Sequence, residues 1–195
     1  MKMYIKEVKH HHFQMADYPG EKGTIIAIHG LTGTHKNMHY YAEALKGEYR
    51  VIAVDLRGRG NSSEPDEHPS IFQHAEDIID LITEQKIESP ILIGHSMGAF
   101  IASIVASKLD TVKGLVLLDG AANMSDQQRD IVKPSLGRLS KKYDSKESYM
   151  EEIKGIYHRL GVEWTPILKE VVEYEIQETG QMWEPKSAES KILAD

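Results

Sequence analysis

The sequence predicts an α/β fold in which a doubly wound, mostly parallel sheet is built from alternating strands and helices. Three observations predict this fold. Short, continuous apolar runs indicate strands that are buried on both faces of a sheet. Stretches with helical spacing of apolar residues separate the runs, and a serine between two glycines lies where one run passes into such a stretch. The runs are residues 24–28, 51–54, 91–93 and 114–118.

The helical stretches repeat apolar residues every three or four positions. Ser70 and Gln73 offer a capping box at the start of the longest stretch. Residues 3–17, which precede the first buried run, predict an antiparallel hairpin added to the edge of the sheet. The periodic residues are Met38, Ala42 and Leu45 in the first helix, Ile71, Ala75, Ile78, Ile79 and Ile82 in the second, and Ile101, Ile104 and Val105 in the third.

The pattern changes after residue 120, where helical stripes replace the alternation of strands and helices. We therefore predict an α/β core over residues 1–120 and a helical cap over residues 121–195. Charged residues occupy the other faces of the stripes, and Pro134, Pro166 and Pro185 divide the segment. The stripes are Tyr149, Ile153, Ile156 and Leu160, followed by Ile167, Val171 and Tyr174.

Composition excludes several classes of function. The chain has 195 residues, a net charge of -7 and no cysteine. The acidic balance without a basic block argues against a nucleic-acid partner, and the lack of cysteine excludes a disulfide framework and fits the cytoplasm. Gly94, His95 and Ser96 interrupt the apolar stretch 90–109, so we expect a buried strand and helix there and no membrane partner.

A possible nucleophile lies in residues 94–98 (GHSMG), directly after the apolar run 91–93. The G-x-S-x-G pattern suits a sharp turn from strand to helix, because the glycines leave room for the turn and the serine is exposed at the top of the sheet. This predicts Ser96 as the nucleophile. The alternative is a glycine turn into a helix that serves packing alone.

Residues 29–33 (HGLTG) follow the run 24–28 and predict an oxyanion-binding loop. Acyl transfer passes through an oxyanion that two backbone N–H groups can stabilise. We assign these donors to Leu31 and to Met97, the residue after the nucleophile. Gly30 and His95 are expected to border the substrate, with the His95 ring pointing into the packing of the sheet. A plain glycine turn is the alternative for this loop.

A third motif, residues 55–62 (DLRGRGNS), follows the run 51–54. We interpret it as a structural turn beside the active site that Asp55 and Arg57 order. Together the three motifs resemble the α/β-hydrolase superfamily, and in particular its esterases, lipases and C–C-bond hydrolases. The resemblance covers about residues 3–120, and it implies a serine nucleophile, an oxyanion hole and a helical cap.

In the resembling family the catalytic triad runs in the order serine, acid, histidine, with the last two on loops beyond the cap. No such loops are recognisable after Ser96. His158 lies within a cap stripe and is interpreted as a surface histidine, while Asp119, after the run 114–118, is a reserve candidate for the acid. The chain is thus expected to be incomplete and weakly active.

The sequence favours hydrolysis of a small ester or related acyl substrate through an acyl-enzyme on Ser96. C–C-bond hydrolysis, lactone opening and perhydrolysis stay open as alternatives, as does a catalytically silent binding form. We expect no cofactor and no metal: His35 and His39 have a spacing that suits zinc, but the glutamate of H-E-x-x-H is missing. The apolar run 114–118 is expected to leave an exposed sheet edge through which copies of the chain self-associate.

Overall fold

The computed structural model describes residues 1–66, 70–122 and 136–187. Its main sheet has six strands in the order β1-β2-β4-β3-β5-β6. β1 and β2 form an antiparallel hairpin, β2 pairs antiparallel with β4, and the remaining pairs are parallel. This confirms the predicted mostly parallel sheet with an N-terminal hairpin. The strands are β1 (Lys2–Val8), β2 (His11–Tyr18), β3 (Thr24–Ile28), β4 (Arg50–Val54), β5 (Ile91–His95) and β6 (Gly114–Leu118).

Helices cover both faces of this sheet, as the continuous apolar runs predicted. Ile26 and Ile28 of β3 pack in the same cluster as residues of α2 and α3, whereas Ile25 and Ala27 pack on the opposite face with Met38 and Ala42. Successive strand residues point to opposite faces, so both sets are buried. The helices of the core are α1 (His39–Leu45), which follows a short 3₁₀ turn at His35–Met38, α2 (Ile71–Glu84) and α3 (Met97–Lys108).

The predicted helix boundary at Ser70 is present. Ser70 Oγ accepts a hydrogen bond from the backbone N–H of Gln73 at 3.2 Å, which satisfies one of the free donors of the first turn of α2. Ala75 and Ile78 of the predicted stripe are fully buried. Leu81, which the stripe did not include, is fully buried as well.

Residues 136–187, called the cap segment below, form a hydrophobic cluster of their own around Tyr149, Ile153 and Val172. The predicted stripe is wrong at Leu160, which is 69% exposed because it lies just beyond the end of α4. A short antiparallel hairpin, which the predicted all-helical cap lacked, follows α5. Pro134 lies outside the described residues. The elements are α4 (Lys146–Arg159), α5 (Pro166–Tyr174), β7 (Ile176–Thr179) and β8 (Met182–Pro185).

None of the helices in the described ranges is long and apolar enough to span a membrane. The apolar stretch around residue 94 divides into strand β5 and helix α3, as the sequence predicted.

Candidate active site

Ser96 lies at the turn between β5 and α3 with φ 51° and ψ −118°. A residue with a side chain rarely adopts a positive φ, and such backbone strain persists only where surrounding structure enforces it. Gly94 and Gly98 provide that enforcement: a Cβ atom on Gly94 would overlap the carbonyl oxygen of Gly98, and one on Gly98 would overlap that of Ile28. The two glycines therefore allow the close packing of strand and helix that pushes Ser96 outward.

The end of β6 fixes the backbone of residues 94–98, called the nucleophile turn below after the role predicted for Ser96. The Ser96 N–H donates to the Leu118 carbonyl at 2.9 Å, and Gly120 packs so close to the Ser96 carbonyl that a side chain there would overlap it. Asp119, the reserve acid, lies between these two contacts, is exposed and has φ 49°. The structure thus places Asp119 beside the nucleophile turn at the carboxyl edge of the sheet.

A cavity of about 330 Å³ opens above this turn. Ser96, Leu31, Gly30 and His95 all line it, so three residues assigned from the motifs border the same cavity as the predicted nucleophile. The His95 ring also faces the loop of residues 29–33, since its Nδ1 lies 3.1 Å from the position that a Cβ atom on Gly30 would occupy. The ring is therefore not confined to the packing of the sheet, as the sequence had led us to expect. The other described lining residues are Thr32, Gly33, Asn37, Tyr41 and Tyr157.

Met97 follows Ser96 as the first residue of α3. The first N–H groups of a helix have no partner within the helix, and they carry partial positive charge. The Met97 N–H is such a group, located next to Ser96. Its convergence with the Leu31 N–H on one acceptor position remains a prediction.

The peptide group between Gly30 and Leu31 carries the Leu31 N–H, and hydrogen bonds to its carbonyl hold it in place. The Gly30 carbonyl accepts from His29 Nδ1 at 2.7 Å and from the Gly33 N–H at 3.1 Å. The Leu56 N–H donates to His29 Nε2 at 3.0 Å, so the imidazole bridges two loops. Because a peptide unit is planar and trans, fixing the Gly30 carbonyl also fixes the direction of the Leu31 N–H. Burial lowers the pKa of His29 to about 4, which keeps the imidazole neutral.

The next peptide group, between Leu31 and Thr32, is held in place by a residue of the third motif, residues 55–62. Arg59 is fully buried, and its Nε donates to the Leu31 carbonyl at 3.1 Å. Its Nη1 donates to the Arg57 carbonyl at 2.9 Å. The guanidinium therefore joins residues 55–62 to the loop that carries a predicted oxyanion donor, a role that the sequence alone did not assign.

Asp55 is a fully buried carboxylate that orders the loops around the site, as the sequence predicted. Its Oδ1 accepts from the N–H and from Nδ1 of His35 at 2.6 and 2.8 Å. Its Oδ2 accepts from the Asn61 N–H at 3.1 Å and from the Tyr174 hydroxyl at 2.7 Å. Burial alone would raise the pKa of Asp55, but the hydrogen bonds that His35 donates hold it below its ordinary value.

Arg57 anchors the same turn to α2. Its Nε donates to Asp77 Oδ2 at 2.7 Å, and its Nη1 donates to Asp66 Oδ2 at 2.8 Å. Arg57 and Asp77 are both buried, so each provides the counter-charge that the other needs in a low-dielectric interior. These contacts confirm the structural interpretation of Asp55 and Arg57.

His39 and His158 are not positioned as partners of Ser96. His39 Nδ1 lies 2.7 Å from the Tyr18 hydroxyl, and His158 is exposed on α4. Within residues 1–66, 70–122 and 136–187, no histidine is hydrogen-bonded to Ser96 Oγ. In the same ranges no three His, Asp or Glu side chains are grouped to hold a metal ion.

Known proteins match both the sequence and the fold. A sequence profile of the α/β hydrolase fold matches residues 23–150. A Haemophilus influenzae protein named as an esterase/lipase is 32% identical over 120 residues, which cover 61% of this chain and 42% of that protein. The 2-(acetamidomethylene)succinate hydrolase of Mesorhizobium japonicum is 27% identical over 141 residues, which cover 70% of this chain and 51% of that enzyme.

The chain thus spans about half the length of these curated relatives. A crystal structure of E-2-(acetamidomethylene)succinate hydrolase superposes with a TM-score of 0.88 at 20% sequence identity, covering 99% of this chain and 71% of that chain. At this level of identity the superposition shows similarity of fold.

Proposed function

We propose that this chain, which belongs to the α/β-hydrolase fold family, carries the nucleophile and the oxyanion donors of a serine hydrolase acting on an ester or related acyl bond. The observation that carries the proposal is the backbone of Ser96, which is held at positive φ on the wall of a cavity that Leu31 also lines. Strain of this kind is characteristic of functional positions.

In the proposed reaction, Ser96 Oγ attacks the carbonyl carbon of the ester while its proton passes to a general base. The carbonyl electron pair moves onto oxygen, and the N–H groups of Leu31 and Met97 stabilise the resulting oxyanion. The intermediate collapses by releasing the alcohol, which takes up the proton. Water then attacks the acyl-enzyme, releases the acid and restores the serine hydroxyl.

In the resembling family the general base is a histidine. Since no histidine of the described residues is hydrogen-bonded to Ser96 Oγ, we expect this 195-residue chain to turn over esters weakly. Loss of the base typically leaves only the residual catalysis that comes from the oxyanion hole and substrate binding.

The proposed substrate is a small, uncharged acyl compound. The cavity of about 330 Å³ is at the lower end of the range for ligand sites. Its described lining includes the polar side chains of Asn37, Tyr41 and Tyr157, together with His95, but no Asp, Glu, Lys or Arg side chain. A neutral substrate therefore avoids placing a charge without a counter-charge in the site.

A second candidate is the hydrolysis of another bond with the same nucleophile. The relative from Mesorhizobium japonicum, named for hydrolysis of 2-(acetamidomethylene)succinate, favours it. C–C-bond hydrolysis, lactone opening and perhydrolysis are further variants, because the fold and the nucleophile do not determine the substrate.

We propose a cytoplasmic location because the chain has no cysteine. Cell fractionation tests this location.

Covalent labelling tests the nucleophile directly. We expect a fluorophosphonate to modify the chain at Ser96, as identified by mass spectrometry of the modified peptide, and Ser96→Ala to abolish the label. Ser103→Ala is the matched control, since Ser103 lies on the same helix and donates to the Ala99 carbonyl at 2.9 Å. Labelling that persists in Ser96→Ala would contradict the assignment, and a wild-type chain that stays unlabelled would favour the silent binding form.

A further inference from the structure

We infer that Tyr174 is a positioning residue that couples the cap segment to the oxyanion loop, residues 29–33, through the buried carboxylate of Asp55. The inference rests on the proposed function, because it assigns a role toward the site around Ser96. Its structural basis is a chain of contacts that runs from α5 through Asp55 and His35 to the end of the oxyanion loop.

Asp55 receives hydrogen bonds from both parts of the chain. His35 and Asn61 donate from the core, whereas the Tyr174 hydroxyl donates from the last residue of α5. Burial together with the charge and hydrogen bond of Asp55 raises the pKa of Tyr174, so the phenol keeps its proton and stays a donor. A hydrogen bond to a buried charged group is stronger than one between neutral groups. The cap segment thus supplies part of the solvation of a carboxylate that water does not reach.

His35 links Asp55 to the oxyanion loop. Both the backbone N–H and Nδ1 of His35 donate to Asp55 Oδ1, so the carboxylate fixes the main chain and the ring together. His35 directly follows Thr34, which is the first residue after the oxyanion loop. Thr34 is held in turn by its N–H, which donates to Asn37 Oδ1 at 2.7 Å. A displacement of Asp55 therefore acts on the loop at its point of exit.

The Tyr174 ring itself is confined between the core and the cap. The His35 ring contacts it edge-on, with 4.7 Å between centroids and 73° between planes. Lys186 Nζ lies 3.9 Å from the centroid of the same ring, within the range of a cation–π interaction. The Lys186 N–H donates to the Glu175 carbonyl at 2.8 Å, which keeps the lysine next to the end of α5. The hydroxyl is therefore aimed at Asp55 by packing on two sides.

Further contacts between cap and core reach the same region. The Tyr40 hydroxyl is hydrogen-bonded to Thr165 Oγ1, and Lys36 Nζ lies 3.6 Å from Glu170 Oε2. Tyr40 and Lys36 belong to the short segment that follows the oxyanion loop. These contacts are on the surface and do not involve Asp55, so they offer controls in which the cap loses an attachment while the carboxylate keeps its donors.

Hydrogen exchange of the purified chain, followed by mass spectrometry, tests the coupling without requiring activity. Tyr174→Phe keeps the ring but removes the hydroxyl, and amides in residues 29–38 are expected to exchange at least about tenfold faster than in the wild type. Amides of β5 and α3 are expected to be unchanged. Glu170→Gln, the matched control on the same helix, should leave exchange in residues 29–38 unchanged.

A kinetic readout separates positioning from loss of the cap. In Tyr174→Phe we expect the maximal rate of fluorophosphonate labelling at Ser96 to fall several-fold, while the concentration that gives half this rate stays near the wild-type value. Lys186→Met keeps the hydroxyl but frees one side of the ring, and it should accelerate exchange in residues 29–38 by a smaller factor. The coupling would be overturned if residues 29–38 exchanged at the wild-type rate in both Tyr174→Phe and Lys186→Met. It would also be overturned if Glu170→Gln accelerated their exchange as much as Tyr174→Phe does. A wild-type chain that resists labelling would contradict the proposed function and leave the exchange test intact.

Discussion

The backbone N–H of Leu56 donates to His29 Nε2 at 3.0 Å, and this bond fixes the tautomer of a fully buried histidine. A backbone N–H can only donate, so Nε2 must be the unprotonated nitrogen. The proton is then on Nδ1, which donates to the Gly30 carbonyl at 2.7 Å. The second residue after β4 and the oxyanion loop are therefore joined through a neutral imidazole, which protonation would disrupt.

This relationship predicts a pH dependence of stability. Burial lowers the pKa of His29 from 6.5 to about 4 in the folded chain. Between these values the unfolded state binds more protons, so the free energy of unfolding falls as the pH falls. Over that window His29 is expected to remove about 3 kcal/mol of stability, a loss that levels off below its folded pKa. Urea unfolding at pH values from 7 to about 4 measures it.

His29→Asn isolates the contribution of this residue, because the amide can still donate near the position of Nδ1 but does not titrate. It should flatten the fall in stability between pH 6.5 and 4, although stability at neutral pH decreases. His158→Gln removes an exposed histidine of α4 and should leave the pH profile as in the wild type. Equal slopes in wild type and His29→Asn would show that other groups cause the pH dependence.

The fold could largely be predicted because its signals are local. Each parallel strand is a continuous apolar run, and the helix α2 has both an apolar stripe and a capping serine. The nucleophile turn was recognisable for the same reason, since its glycines meet a steric requirement within five residues.

The contacts that hold the site depend on residues far apart in the sequence and could not be predicted in this way. Asp55 meets Tyr174 across 119 positions, and no pattern near either residue indicates the pair. The hairpin β7–β8 was missed because each of its strands has only four residues. The glycine at its turn, Gly180, was an available sequence signal, and its φ of +67° shows why a glycine suits that position. Leu160 fits the stripe of α4 by spacing, but the helix ends one residue earlier.

The strained backbone of Ser96 predicts an unusual ranking of two substitutions. Glycine adopts positive φ without the penalty that alanine incurs. Ser96→Gly is therefore expected to be more stable than Ser96→Ala by about 1–3 kcal/mol, the typical cost of such a backbone conformation. Chemical denaturation of both variants measures the difference. If Ser96→Ala equals or exceeds Ser96→Gly in stability, the turn does not store the strain that its dihedral angles indicate.

Two helical glycines provide a matched test of packing at the nucleophile turn. A Cβ atom on Gly98 would overlap the Ile28 carbonyl, so Gly98→Ala should destabilise the chain by about 1–3 kcal/mol or more. Gly155 of α4 has only the end of Arg159 nearby, at 3.6 Å. Gly155→Ala should instead stabilise by about 0.5–1 kcal/mol, since alanine suits a helix better. Thermal unfolding compares them, and similar effects at the two sites would contradict the close approach of β3 and α3.

The edge strand β6 predicts self-association of the purified chain. In the described part of the chain β6 pairs on one side only, with β5. Leu115, Val116 and Leu117 are 39%, 41% and 42% exposed, so apolar side chains are accessible on both faces of the edge strand. An edge that combines unpaired backbone groups with apolar side chains and has no lysine or proline favours pairing with another copy of the same strand. Light scattering is expected to show a mass above that of the monomer, increasing with concentration.

A charge on the edge strand should prevent this association, because pairing two copies would bury it. Val116→Lys is therefore expected to shift the chain toward the monomer. Leu160→Lys changes a more exposed apolar residue, 69% accessible and located on the cap segment away from the edge, and it should leave the association unchanged. If β6 mediates the contact, only the first variant responds. A wild-type chain that is a monodisperse monomer at all concentrations, or an equal response of both variants, would show that β6 is not the surface through which copies of the chain associate.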